Sequence, residues 1–93
     1  MIYKLKPTTK FQKDLKLAQK RGCNIELLRD ILKKLASGET LPVKNKDHAL
    51  SGNFSGCREC HITPDWLLIY EIDNENLYLY LTRTGTHSDL FKK

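Results

Sequence analysis

The chain opens with Ile2-Tyr3-Lys4-Leu5-Lys6, where apolar and polar residues alternate as in a strand with one buried face. Pro7 and Thr8 stop that run. Thr9-Lys10-Phe11-Gln12 then has the form of a capping box, a hydroxyl three residues ahead of a Gln. Beyond it the period becomes helical. Phe11, Leu15 and Ala18 fall on one face, Lys10, Lys13, Lys16 and Lys20 on another, and Gly22 is a suitable stop. Asn24 can cap a second helix, with Leu28, Ile31 or Leu32, and Leu35 facing inward and Ser37-Gly38 at its end. The two read as a helical hairpin. Residues 39–56 read as a long loop, a length that in a small domain usually carries function.

From Cys57 the period is two. Cys57, Glu59, His61 and Thr63 share one face of a strand, and Arg58, Cys60 and Ile62 the other. Thr63-Pro64-Asp65 turns the chain into the more continuously apolar Leu67–Ile72, and Asp73–Asn76 turns it again into a strand from Leu77 to Arg83. Thr86 can cap a last helical turn. The order β-α-α-β-β-β-α predicts an α+β fold: a small, antiparallel-rich sheet with the two N-terminal helices on one face.

Ninety-three residues suffice for one domain, 1–93. No apolar run approaches the roughly 20 residues of a membrane helix, and the start does not read as a signal peptide, so a cytoplasmic protein without a membrane partner is expected. Cys23, Cys57 and Cys60 are odd in number and read as free thiols in a reducing compartment. Charge is unevenly spread. Residues 1–46 carry twelve Lys or Arg against four Asp or Glu, whereas residues 47–93 carry four against seven. A cationic first half draws in polyanions. The plain alternative is that the Lys-rich helices are solvated faces.

All three histidines lie in the second half, in the polar blocks Lys46-Asp47-His48, Glu59-Cys60-His61 and Thr86-His87. Imidazole exchanges protons near neutrality, so these blocks on a basic chain point to metal-free acid–base chemistry on RNA. Alternation sends Glu59 and His61 from one strand into one cleft, which His48, Asp65, Arg83 and His87 can join. Transesterification of a phosphodiester needs a base for the 2′-OH, a cation for the phosphorane and an acid for the leaving 5′-oxygen. Phe91 lies one helical turn beyond His87 and can seal the core or support a base. Trp66 and Tyr70 can stack on bases, but at strand positions such aromatics usually pack.

Cys57-Arg58-Glu59-Cys60-His61 also fits the C-x-x-C-H haem pattern and part of a zinc site. A strand would aim its two thiols to opposite faces, which opposes both readings.

The blocks Lys46-Asp47-His48-Ala49-Leu50-Ser51-Gly52, Arg58-Glu59-Cys60-His61, Pro64–Tyr70 and Arg83-Thr84-Gly85-Thr86-His87 with Leu90-Phe91 resemble the YafQ branch of the RelE superfamily of bacterial toxins. The stretch Lys13–Arg21 resembles it too, so the likeness spans nearly the whole chain. It implies a RelE-like fold and a type II toxin. Such a toxin cuts mRNA in the ribosomal A site without a metal or other cofactor, and a cognate antitoxin neutralises it. It carries functional roles onto His48, Glu59, His61, Asp65, His87 and Phe91, with Arg83 on phosphate. Glu59 stands where that branch often has Asp. The expected roles are His87 as general acid, His61 with Glu59 or Asp65 as base, and His48 and Arg83 stabilising the phosphorane. Lys10, Lys13, Lys16, Lys20 and Lys46 are expected to bind RNA. The alternatives are a non-catalytic toxin resembling the ParE type, or a plain RNA-binding module.

Overall fold

A computed structural model describes residues 2–91. Its elements are β1 (Lys4–Pro7), α1 (Thr9–Lys20), α2 (Ile25–Ala36), β2 (His48–Ala49), β3 (Arg58–Thr63), β4 (Trp66–Asp73), β5 (Tyr78–Gly85) and α3 (His87–Leu90). The five strands form one sheet in the order β1-β5-β4-β3-β2. β1 runs parallel to β5, and every other pairing is antiparallel. The α+β expectation therefore holds, with one strand more than the sequence pattern predicts.

The sheet separates two cores. Phe11, Ala18, Leu28, Ile31 and Leu35 of the helices pack with Cys60, Ile62, Trp66, Leu68, Tyr70, Leu79 and Leu81. On the opposite face a smaller cluster joins Cys57, Leu67, Ile69 and Leu90, flanked by Leu50, Phe54 and Phe91. The period of two thus sorts each strand's residues between a helix-covered face and a barer one. Trp66 and Tyr70 belong to the helix-side core, so they pack rather than stack on bases.

Three local corrections follow. The cap of α1 is Thr8, not Thr9, and Gln12 makes no capping box with Thr9: its amide reaches the Pro7 carbonyl at 3.4 Å. Thr8 Oγ1 accepts from Phe11 N at 3.1 Å and donates to the Leu81 and Thr82 carbonyls at 2.9 and 3.0 Å. One hydroxyl therefore caps the helix and ties it to β5, and only the residue next to β1 can do both. The long loop is also partly ordered. It holds a 3₁₀ turn at Val43–Asn45, the edge strand β2 and a second turn at Gly52–Phe54. Two residues are too few for alternation to be visible in sequence. The last strand runs on to Gly85, two residues past its expected end.

Asn24 caps α2 as expected, its side chain accepting from Glu26 N at 3.1 Å. Thr86 and Asp89 form a full capping box on α3. Gly85 precedes it, where a Cβ would come within 3.0 Å of Asp89, so the close approach of strand and helix needs a residue without one. The three cysteines are free. Among the described residues no helix is long and apolar enough to cross a membrane.

Asp89 also pairs with Arg21 of α1 at 2.6 Å. The Arg21 guanidinium, helped by the Thr86 backbone N–H, holds the Asp89 carboxyl well below the usual carboxylate range. A carboxyl depressed in the folded state stabilises the fold above its unfolded pKa of about 4, and that contribution fades as pH falls below it. Asp89→Asn is therefore expected to lower the urea midpoint at pH 7, with the gap to the parent closing steadily below about pH 4. A constant gap down to strong acid would contradict this.

Candidate active site

The site grows from β3. Because Cys60 and Ile62 point into the helix-side core, Glu59 and His61 point to the barer face. Pairing of β2 with β3 sets His48 directly opposite Glu59. Glu59 is only 3% exposed, yet among the described residues no Lys or Arg pairs with it. Its neighbours are imidazoles: Oε1 lies 3.4 Å from His48 Nε2 and 3.7 Å from His61 Nε2. A buried carboxylate requires such partners.

His48 Nδ1 lies 2.7 Å from the Lys46 carbonyl. A carbonyl only accepts, so Nδ1 carries a proton and Nε2 is left to face the carboxylate. That contact is attractive when a second proton sits between Nε2 and Oε1. Half of the His48 side chain is exposed, and 16% of that of His61. The cluster thus runs from a buried acid to imidazoles open to an incoming substrate.

α3 brings the third histidine. The rings of His61 and His87 are 5.8 Å apart, those of His87 and Phe91 5.9 Å, and those of Phe91 and Phe54 5.7 Å edge to face. Imidazoles from three separate stretches therefore meet on one face, with an aromatic wall beside them. His87, like His48, is exposed. Glu59, His61 and His87 each offer one donor atom within 4.8 Å of the others, a spacing that one divalent ion could bridge. An open cleft of about 390 Å³ adjoins His61, its other walls including Lys44, Asn45, Lys46, Thr63 and Pro64.

Two expected members stand apart. The pairing of Ile69 with Arg83 puts Arg83 in the cross-strand row of Glu59. Its guanidinium nonetheless turns to α1, where Nε and a terminal nitrogen donate to Asp14 at 2.6 and 3.1 Å. Asp14 also accepts from Thr84 N at 3.1 Å. A long side chain near a sheet edge can reach either layer, and the carboxylate on α1 captures it. Asp65 sits exposed in the turn between β3 and β4, outside the Glu59–His61–His87 group.

Lys10, Lys13, Lys16 and Lys20 are exposed, but α1 belongs to the helix layer, across the sheet from Glu59 and His61. Lys46 is exposed and borders the cleft. Sequence reasoning missed Lys44, Asn45 and Phe54 in this region. Asn45 is 5% exposed, and its amide donates to the His61 carbonyl at 2.7 Å. Cys57 and Cys60 lie in opposite cores, so the C-x-x-C-H spacing does not converge on a ligand. Burial pushes the Cys60 thiol up to about 12.

Comparison with known proteins settles the family. The family of bacterial toxins of type II toxin–antitoxin systems named YafQ matches residues 3–92. This chain is a member of the YafQ toxin family. It is 42% identical over 82 residues to the mRNA interferase toxin YafQ of Escherichia coli K12, covering 87% of each chain. It superposes on a metal-bound toxin from Helicobacter pylori with a TM-score of 0.90 at 42% identity, over 98% of this chain and all of that one. It matches the toxin of the E. coli DinJ–YafQ toxin–antitoxin complex with a TM-score of 0.87 at 37% identity, over 98% and 99% of the two chains. The YafQ-type toxin and the α+β fold expected from the sequence are both upheld.

The Asp14 contacts are separable from the histidines. Asp14→Ala strips acceptors from the Arg83 guanidinium and the Thr84 N–H, and should cost about 1–3 kcal/mol in urea unfolding, the usual cost of such a loss. An unchanged midpoint would show that the pair contributes nothing to the fold.

Proposed function

We propose that this toxin is an mRNA endoribonuclease that cuts message in the A site of translating ribosomes by metal-free acid–base transesterification, and that a cognate antitoxin neutralises it. The observation that carries the chemistry is the buried Glu59 carboxylate between His48 and His61, with His87 beside His61. The relatives supply the substrate and partner classes, since E. coli YafQ is an mRNA interferase and is found with the antitoxin DinJ.

In this reading His61, backed by Glu59, takes the 2′-OH proton as the 2′-oxygen attacks phosphorus. His87, exposed at the start of α3, gives a proton to the departing 5′-oxygen. His48 adds positive charge where the phosphorane forms, its orientation fixed by the Lys46 carbonyl. Phe91, braced edge-on by Phe54, offers a flat apolar surface to a base. Arg83 contributes to phosphate binding only by loosening its grip on Asp14, and Asp65 acts from the rim next to Pro64 rather than as the base. Lys44 and Lys46 line the strand's approach to His61, while the lysines of α1 meet the ribosome on the other face.

His87→Ala and His61→Ala should each lower the cleavage rate by about 10²–10⁴-fold, as loss of a proton-transfer group does. Primer extension on translated message reads this directly. A His87→Ala toxin that cuts at the parental rate removes the acid assignment. Growth arrest with intact transcripts favours a non-catalytic toxin. The Glu59–His61–His87 spacing also suits a divalent ion, so chelation is a second test. Toxin stripped with EDTA and desalted before it meets Mg²⁺-containing ribosomes should cleave undiminished. Loss restored by Zn²⁺ or Cu²⁺ would overturn the metal-free reading.

A further inference from the structure

A two-residue edge strand with two cross-strand pairs is too short to hold a catalytic side chain by its own ladder. Something else must fix His48. The residue before it supplies the hold. Asp47 Oδ1 accepts from Arg58 Nε at 2.8 Å, and Oδ2 accepts from the Tyr70 hydroxyl. Tyr70 is 1% exposed, its ring locked in the helix-side core. Arg58 and Tyr70 are themselves paired across β3 and β4, so both donors rise from one face of the sheet. Alternation then does the aiming: with Asp47 gripped on that face, the next residue must project from the other, toward Glu59.

The geometry points to Asp47 and Tyr70 as positioning residues that set the orientation and proton placement of His48, a role that rests on the catalytic reading above. The link runs through the backbone. Lys46 adopts a left-handed conformation, φ 47° and ψ 44°, which a residue with a side chain keeps only when its surroundings enforce it. Its N–H donates to the Val43 carbonyl at 3.0 Å on one side, and the Asp47 grip follows on the other. The bend turns the Lys46 carbonyl back onto His48, where it receives the Nδ1 proton. Asn45, in the same turn, bonds the His61 carbonyl, so one short segment registers two of the three imidazoles. Without the Tyr70 hydroxyl, Asp47 keeps only the half-exposed Arg58, and the bend loses its buried anchor.

Tyr70→Phe keeps the ring and removes the hydroxyl. Two readouts are taken on the purified toxin: the ¹⁵N imidazole signals of His48 without RNA, and ribosomal cleavage kinetics. The parent should show His48 protonated at Nδ1 in its neutral form. The variant should show averaged signals, and kcat at least tenfold lower with KM within about twofold, while circular dichroism is unchanged. Asp47→Asn, which keeps an acceptor for the hydroxyl, should retain more activity than Asp47→Ala, and this pair carries the test if Tyr70→Phe fails to fold. His48 signals unmoved in the variants would overturn the proposal whatever the cleavage rate, because a merely structural role shifts only the melting temperature. Moved signals with parental cleavage would equally overturn it, by removing the link to the reaction. The catalytic reading fails separately, if the parent toxin itself cuts no message.

Discussion

A carboxylate buried with no Lys or Arg partner among the described residues organises this molecule. Glu59 is withdrawn from water at the middle of a sheet face, where an unpaired charge is not tolerated. Two imidazoles lie 3.4 and 3.7 Å from it, one on the edge strand opposite and one on its own strand, and a nitrogen of His87 comes within 4.8 Å. Histidine is the partner type that can hold or release a proton near neutrality. A Lys or Arg in place of either imidazole would neutralise Glu59 but remove a partner that can exchange a proton near neutrality.

The rest of the fold supplies that arrangement with walls and fixed positions. The helices bury their apolar faces on one side of the sheet and so free the other for chemistry. On the free side a small cluster around Leu67, Ile69 and Leu90 is enough to seat α3, whose capping box and Arg21 contact hold His87 next to His61. Polar anchors then set the loops. The Asn45 amide fixes the turn against β3, and Asp47 fixes the entry to β2. His48, His61 and His87 thus each sit on, or one residue from, a group held by a side-chain hydrogen bond.

Much of this was legible in the chain because the strongest periodicities belong to the elements that matter most. The alternation from Cys57 to Thr63 correctly put Glu59 and His61 on one face and Cys60 on the other. The helical spacing of α1 and α2 and the caps at Asn24 and Thr86 were equally plain. What stayed hidden depends on contacts between distant residues. β2 is too short to show a period, so His48 was expected in a loop. Thr8 and Thr9 both suit a cap, and only bonds to Leu81 and Thr82 choose between them. Arg83 shares a row with Glu59, yet Asp14, 69 residues earlier, takes its guanidinium. The importance of Asp47 was masked by its neighbour: it stood in plain view in the Lys46-Asp47-His48 block, but its partner Tyr70 lies 23 residues away.

The claim on which the account turns is that the buried acid and its imidazoles work as one proton-handling unit. The rate of message cleavage by Glu59→Gln, measured on translating ribosomes beside a check that the variant is folded, tests it most directly. Glutamine keeps the shape but cannot exchange a proton, so the account predicts a loss of about 10²-fold or more with the fold retained. Cleavage at the parental rate by a folded Glu59→Gln toxin would contradict it.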